Sequence, residues 1–202
     1  MMKKKKFLTI GYLSVVAATL LLVTSTVMTE AFYDSGRFNP AQTIWMIERH
    51  LLIGRTDLSS DRIPSVARTL YEEARSYGID YRLVLAIMAV ESNFRNDAVS
   101  QAGALGIMQI MPILAASIAR EAGIPYRGAP DLFHPENNVR FALHYLSWLS
   151  AKFKDTNEVL LAYNVGHNRA RRLLSKNGDA DTSYTRRVIS EYQRNMTSLP
   201  AM

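Results

Sequence analysis

The sequence predicts an all-α fold, and three observations carry that prediction. Apolar residues recur at helical spacing along most of the chain, glycine and proline punctuate the pattern at roughly helix-length intervals, and no alternating strand run or internal repeat occurs. With 202 residues the chain has room for one ordinary domain and an appendage. Apolar residues make up 48% of it and charged residues 21%, a balance that excludes a disordered tail and a multi-span membrane protein.

The first element is a basic segment over 1–6, carrying Lys3, Lys4, Lys5 and Lys6, followed by 22 uncharged, mostly apolar residues from Phe7 to Met28. That run is long enough to cross a hydrocarbon core of about 30 Å at about 1.5 Å per residue. Four lysines before it and Glu30 and Asp34 after it place the remainder of the chain outside the cytoplasm. A retained signal-anchor and a cleaved signal peptide both fit. The run exceeds a usual signal core, and no A-x-A site follows it, which favours the anchor.

Residues 29–60 read as a stalk or lead-in segment, with an extended polar stretch over Tyr33–Gln42 and a short amphipathic segment, Ile44–Ile53, ended by Gly54. Ser60 or Asp61 can cap the next helix, whose Ile63, Val66, Ala67, Leu70, Tyr71 and Ala74 form one apolar stripe before Gly78 stops it. Asp80 is placed to cap a helix over Tyr81–Val90 that is apolar nearly all round, as at the centre of a domain. Pro112 opens another helix that runs to Gly123. Pro135 opens a longer one with the stripe Val139, Ala142, Leu143, Leu146, Leu149 and Phe153. Asp155 or Thr156 starts a helix ending near Gly166, and helical patterns over 168–176 and 184–195 complete a bundle of six to eight helices.

Composition narrows the chemistry. The chain has no cysteine, which excludes a disulfide framework, a thiolate zinc site and a Cys nucleophile. His50, His134, His144 and His167 lack metal-ligand spacing, so neither a metal nor any other cofactor is expected. The net charge of +6 comes largely from the four N-terminal lysines; without them 20 basic residues face 18 acidic ones, too small an excess to argue for nucleic-acid binding. The C-terminal helices are nonetheless basic, with Arg169, Arg171, Arg172, Arg186, Arg187 and Arg194. A solvated helical face is the first reading of that run, and attraction to an anionic polymer is the second.

Glu91 follows directly on the most apolar helix. A carboxyl held against apolar surroundings has its charged form disfavoured, so it can stay protonated near neutral pH and act as a general acid. Ser92 offers a hydroxyl beside it. Gly106-Ile107-Met108-Gln109 lies between helices, where glycine permits close backbone approach and Gln109 carries both a donor and an acceptor. Ala162-Tyr163-Asn164 brings a phenol and an amide to the end of a helix ahead of Gly166. Asp97, the nearest spare carboxylate, sits in an Asn-Asp pair and reads as a turn residue.

Taken in order, these segments resemble the motifs of the Slt-type lytic transglycosylases of bacterial cell walls, in the lysozyme-like superfamily. Glu91-Ser92-Asn93-Phe94 resembles the family's Glu-Ser motif, Gly106-Ile107-Met108-Gln109-Ile110-Met111-Pro112 its Gly-Leu-Met-Gln motif, and Ala162-Tyr163-Asn164-Val165-Gly166 its Ala-Tyr-Asn motif. Tyr184 and Val188 match a final Tyr-x-x-x-Val element, so the resemblance covers about residues 62–195. Gln101, Ile107, Val165 and His167-Asn168 depart from the usual pattern without altering a polar position of the site.

The resemblance implies a lysozyme-like, two-lobed helical domain over 61–199 with a cleft between its lobes. It further implies non-hydrolytic cleavage of the β-1,4 bond between N-acetylmuramic acid and N-acetylglucosamine in peptidoglycan glycan strands. Glu91 would be acid and then base, aided by the substrate's acetamido group, and the sugar's own C6 hydroxyl would close a 1,6-anhydro ring. Ser92, Gln109, Tyr163 and Asn164 would hold acid and sugar in register, Met108 would line the cleft, and Tyr184 would stand near the acid. The domain is then expected in the periplasm or cell-wall space, anchored in the inner membrane or secreted there. A secretion, conjugation or phage apparatus is the kind of machine that small members of the family serve. A goose-lysozyme-like hydrolase and a glycan-binding or assembly protein on the same fold remain as alternatives.

Overall fold

A computed structural model of the chain describes residues 39–54 and 56–201, which form a compact unit beginning at Asn39. The expected span over 7–28 lies outside the described residues. Among those described, no helix is long and apolar enough to cross a membrane. They form eight α-helices: α1 Pro40–Ile53, α2 Ile63–Tyr77, α3 Tyr81–Ser92, α4 Pro112–Ala122, α5 Pro135–Ser150, α6 Thr156–Val165, α7 His167–Asn177 and α8 Ser183–Ser198. A short 3-10 helix spans Ala129–Phe133, and the nearest approach to a strand is a pair of isolated antiparallel bridges, Val99 with Leu105 and Leu105 with Ile110. The fold class is all-α, as the apolar spacing predicts.

Most boundaries follow from local chemistry. Gly78 ends α2 in the left-handed conformation, where only glycine carries no Cβ penalty. The Asp80 carboxylate accepts from the Arg82 N–H at 2.9 Å and so caps α3. Asp155 caps α6 in the same way through the Glu158 N–H. Two starts differ from expectation. Neither Ser60 nor Asp61 caps α2; Arg62 occupies the cap position without a side-chain bond, and Pro64 in the first turn needs no N–H partner. Helix α1 begins at Pro40, inside the stretch expected to be extended, because Asn39 and Gln42 form a reciprocal capping box.

Ile44, Ile47 and Leu51 of α1 are buried in the common core, and α1 packs against α2. Residues 40–53 therefore belong to the same compact body as the segment after residue 61, and the body starts about twenty residues earlier than the apolar stripe of α2 alone indicates. The central helix is α3, whose Tyr81, Val84, Leu85, Ala86, Ile87 and Met88 are fully enclosed. It packs most extensively against α8, antiparallel to it. At one end of that pair, Tyr192 donates to Asp80 at 2.8 Å and Asn195 donates to the Arg82 carbonyl at 2.9 Å. The other end brings Tyr184 to Glu91.

The burial of α1 makes a direct prediction. Leu51→Ala should lower unfolding stability by about 3 kcal/mol, the cost of lost transfer energy plus a cavity. Urea denaturation checks it, and a detached stalk would show no change.

Candidate active site

Glu91 lies in the last turn of α3, carried there by a helix whose other faces are core. The chain then turns sharply, with Asn93 and Phe94 both at positive φ. Burial pushes the Glu91 carboxyl up to about 7; the Tyr184 hydroxyl, donating to Oε1 at 2.6 Å, and the charge of Arg187 pull the other way. Tyr184 is itself buried, and burial together with the neighbouring carboxylate holds its phenol well above the usual range, so it remains a neutral donor. Arg187 donates to the Val90 carbonyl at 3.1 Å, which fixes its charge beside the end of α3.

Opposite Glu91 runs the loop from Ala98 to Met111, which has almost no regular structure and is held instead by side chains. The fully buried amide of Asn138, on α5, donates to the carbonyls of Leu105 and Leu132, both at 2.9 Å, and accepts from the Met108 N–H at 2.7 Å. Gly106 has a φ of 77°, and a Cβ there would fall 2.4 Å from the Leu132 carbonyl oxygen and 2.6 Å from the Asn138 amide. Only glycine lets the loop approach so closely. Ser92 donates to the Ile107 carbonyl at 2.7 Å, and Tyr163 donates to the Met108 carbonyl at 2.9 Å. Gln109 adopts positive φ, and its amide bonds to the carbonyls of Ala98 at 3.1 Å and Gly106 at 2.9 Å.

Between these walls lies a cavity of about 450 Å³, lined by Glu91, Gln109, Tyr145, Tyr163, Asn164 and Gly166 among others. Glu91 is the one carboxylate in that lining. Asp97 is exposed, in a turn whose N–H groups at Asn96 and Asp97 bond to Asp57. A larger groove of about 720 Å³ lies between α1 and α2 and contains none of these groups.

The residues singled out in the sequence converge on this cavity, but not all face it. Glu91, Gln109, Tyr163 and Asn164 line it. Met108 does not: its side chain is wholly buried, and its contribution is a carbonyl and an N–H that fasten the loop. The Ser92 hydroxyl is likewise buried and occupied by backbone carbonyls, so it ties α3 to the loop. Tyr184 reaches the acid from behind.

Three residues at the site are not indicated by the sequence motifs. Tyr145 lines the cavity and packs against Tyr163 with ring centroids 5.8 Å apart. Arg187, which by sequence belongs to a basic helical face, places its charge beside Glu91. Asn138 carried a readable signal, since it lies four residues before Ala142 on the buried stripe of α5, where an amide must find partners.

Comparison with known proteins identifies the family and the fold. Residues 69–185 match the profile of the family described as transglycosylase SLT domain. The chain is 33% identical over 145 residues to membrane-bound lytic murein transglycosylase C of Sodalis glossinidius, covering 66% of this chain and 39% of that protein. It is 28% identical over 172 residues to the protein of that name from Mannheimia succiniciproducens, covering 79% of this chain and 46% of the other. Among solved structures it shares its fold with the lytic transglycosylase Slt of Pseudomonas aeruginosa, at a TM-score of 0.59 and 24% identity, over 91% of this chain and 35% of that one. The chain thus spans under half the length of the curated relatives it matches.

The environment of Glu91 has a consequence for stability. Its folded-state value of about 7 lies above the 4.5 of a free carboxyl, so the native state holds the proton more tightly than the unfolded chain. That contribution is present below the lower value and is lost as pH rises through the higher one. Glu91→Gln, which cannot ionise, should match the parent near about pH 4 and exceed it by on the order of 2 kcal/mol near about pH 8. Denaturation at the two pH values measures the difference.

Proposed function

The chain belongs to the transglycosylase SLT domain family, and on that premise we propose that it is a lytic murein transglycosylase. Its substrate is the peptidoglycan glycan strand, cut at the β-1,4 bond between N-acetylmuramic acid and N-acetylglucosamine to leave 1,6-anhydro ends. The observation that carries this reading is Glu91: the one carboxylate lining the cavity, buried enough to hold a proton near neutrality and backed by groups that support its anion.

The cleavage follows from that balance. Protonated Glu91 donates to the leaving oxygen, and the carboxylate that results is stabilised by the Tyr184 hydrogen bond and the Arg187 charge. A hydrolase of the usual kind needs a second carboxylate flanking the bond. The cavity lining has none, so the developing positive charge on the sugar falls to the substrate's own acetamido group. Glu91, now a base, takes the proton of the C6 hydroxyl, which attacks C1 and closes the anhydro ring. An acid with a value of about 7 suits both steps, because neither protonation state is remote at neutral pH.

In this scheme Asn164, Gln109 and Tyr163 contact the sugar from the cavity wall, while Ser92, Met108 and Tyr184 hold wall and acid in place. The four lysines and the apolar run over 7–28 assign the domain to the periplasmic side of the inner membrane as an anchored enzyme. The name membrane-bound carried by its relatives supports that placement. No cofactor and no nucleic acid enter the reading. Local opening of the wall for a secretion, conjugation or phage apparatus is the use proposed for this domain.

Two experiments test the proposal. Mass spectrometry of digested peptidoglycan should find anhydro-muramic ends with the parent and a loss of about 10²–10⁴-fold in product with Glu91→Gln; reducing ends instead would assign a hydrolase. Activity should fall as pH rises through about 7, where Glu91 loses its proton. Tyr184→Phe removes a bond that favours the anion, so this limb of the pH profile should move to higher pH while the rate falls.

A further inference from the structure

Helix α1 is apolar on two faces. Ile44, Ile47 and Leu51 point into the core, yet Trp45, Leu52 and Ile53 are 53%, 57% and 74% exposed on the opposite side. They are half of the six large hydrophobic side chains left exposed among the described residues. Positions 45, 52 and 53 fall at i, i+7 and i+8, so they share one stripe, and exposed Arg49 lies within it with its guanidinium 5.0 Å from the centre of the Trp45 ring. The stripe is bordered by the α1–α2 groove, with Arg68 and Arg75 at its rim beside Glu48 and Glu72. On its other side a cavity of about 240 Å³ reaches Ser198 at the end of α8 and Leu199 just beyond it. Nothing in the cleavage scheme uses this face.

The chain ahead of α1 points to the occupant. The apolar run ends at Met28, and the ten residues 29–38 separate it from Asn39, a reach of at most about 36 Å even fully extended. A tether of that length raises the effective concentration of a surface to roughly the millimolar range, so a face too weak to bind lipid from solution binds it when attached. The residue types match a bilayer surface: tryptophan suits the headgroup level, leucine and isoleucine the start of the acyl region, and arginine the anionic headgroups. We propose that α1 lies on the surface of the membrane in which the chain is anchored, with Trp45, Leu52 and Ile53 in the boundary between headgroups and acyl chains and Arg49 among the headgroups. The proposal rests on the reading of residues 7–28 as a retained anchor.

The test uses the full chain carrying Trp148→Phe, which leaves Trp45 as the sole tryptophan. It is reconstituted in phosphatidylethanolamine vesicles containing a minor fraction of phosphatidylglycerol, with or without lipids brominated high on the acyl chain. Trp45 emission should lose roughly half its intensity in the brominated vesicles. The Leu52→Asp, Ile53→Asp double variant should recover most of that emission while still resisting alkaline extraction. Equal emission in both vesicles from a chain that resists extraction overturns the docking and leaves the anchor standing. Release of the chain on extraction, with Trp45 unquenched, overturns the anchor and the docking together.

Discussion

Asn138 fastens the loop that forms the cavity wall opposite Glu91. Its amide is fully buried and bonds to Leu105 and Met108 on the 98–111 loop and to Leu132 in the 3-10 helix. A buried amide left unpaired costs about 1–3 kcal/mol per group, so each bond resists any movement of the loop away from α5. The loop over 98–111 needs such restraint because neither a helix nor a sheet satisfies its main chain. Ser92, Gln109 and Tyr163 complete the fastening by donating to its carbonyls and to that of Ala98. The result is an irregular wall held by side-chain hydrogen bonds, facing Glu91 across a cavity of about 450 Å³.

The acid depends on a second restraint, the antiparallel packing of α3 on α8. Far from the cavity, Asp80, Tyr192, Arg82 and Asn195 lock the two helices together, and Tyr81 adds a bond to the Pro200 carbonyl at 2.7 Å. With that register set, Tyr184 meets Glu91 and Arg187 stands beside Val90. Burial alone would hold the Glu91 carboxyl further above its ordinary range, and full hydration would return it there. The helix pair sets the balance between the two, with burial on one side and the Tyr184 bond and Arg187 charge on the other.

Helix positions were largely legible because their signals are local. Gly78, Asp80, Pro112, Pro135 and Asp155 act on backbone groups within one turn of themselves, and the structure places them where their chemistry indicates. The start of α1 differs from the extended reading of Tyr33–Gln42, because Gly36 and Pro40 give a turn-rich appearance to the stretch that holds the Asn39–Gln42 capping box. Met108 and Ser92 show the limit for site residues. Proximity in sequence to Glu91 or Gln109 says nothing of which way a side chain points, and both turn inward.

The sequence by itself determined the all-α class, the order of the helices, and the segments that bear Glu91, Gln109, Tyr163 and Asn164. Helical periodicity and capping are properties of a few consecutive residues, and ordered motifs survive without coordinates. Only the tertiary structure decided that Asn138 clamps the loop, that Tyr184 bonds to Glu91 from 93 residues away, and that α1 joins the core while leaving an apolar stripe outside it. Those facts depend on partners remote along the chain. Hydrogen bonding and burial are set by distance in space, which the spacing of residues in one dimension does not contain.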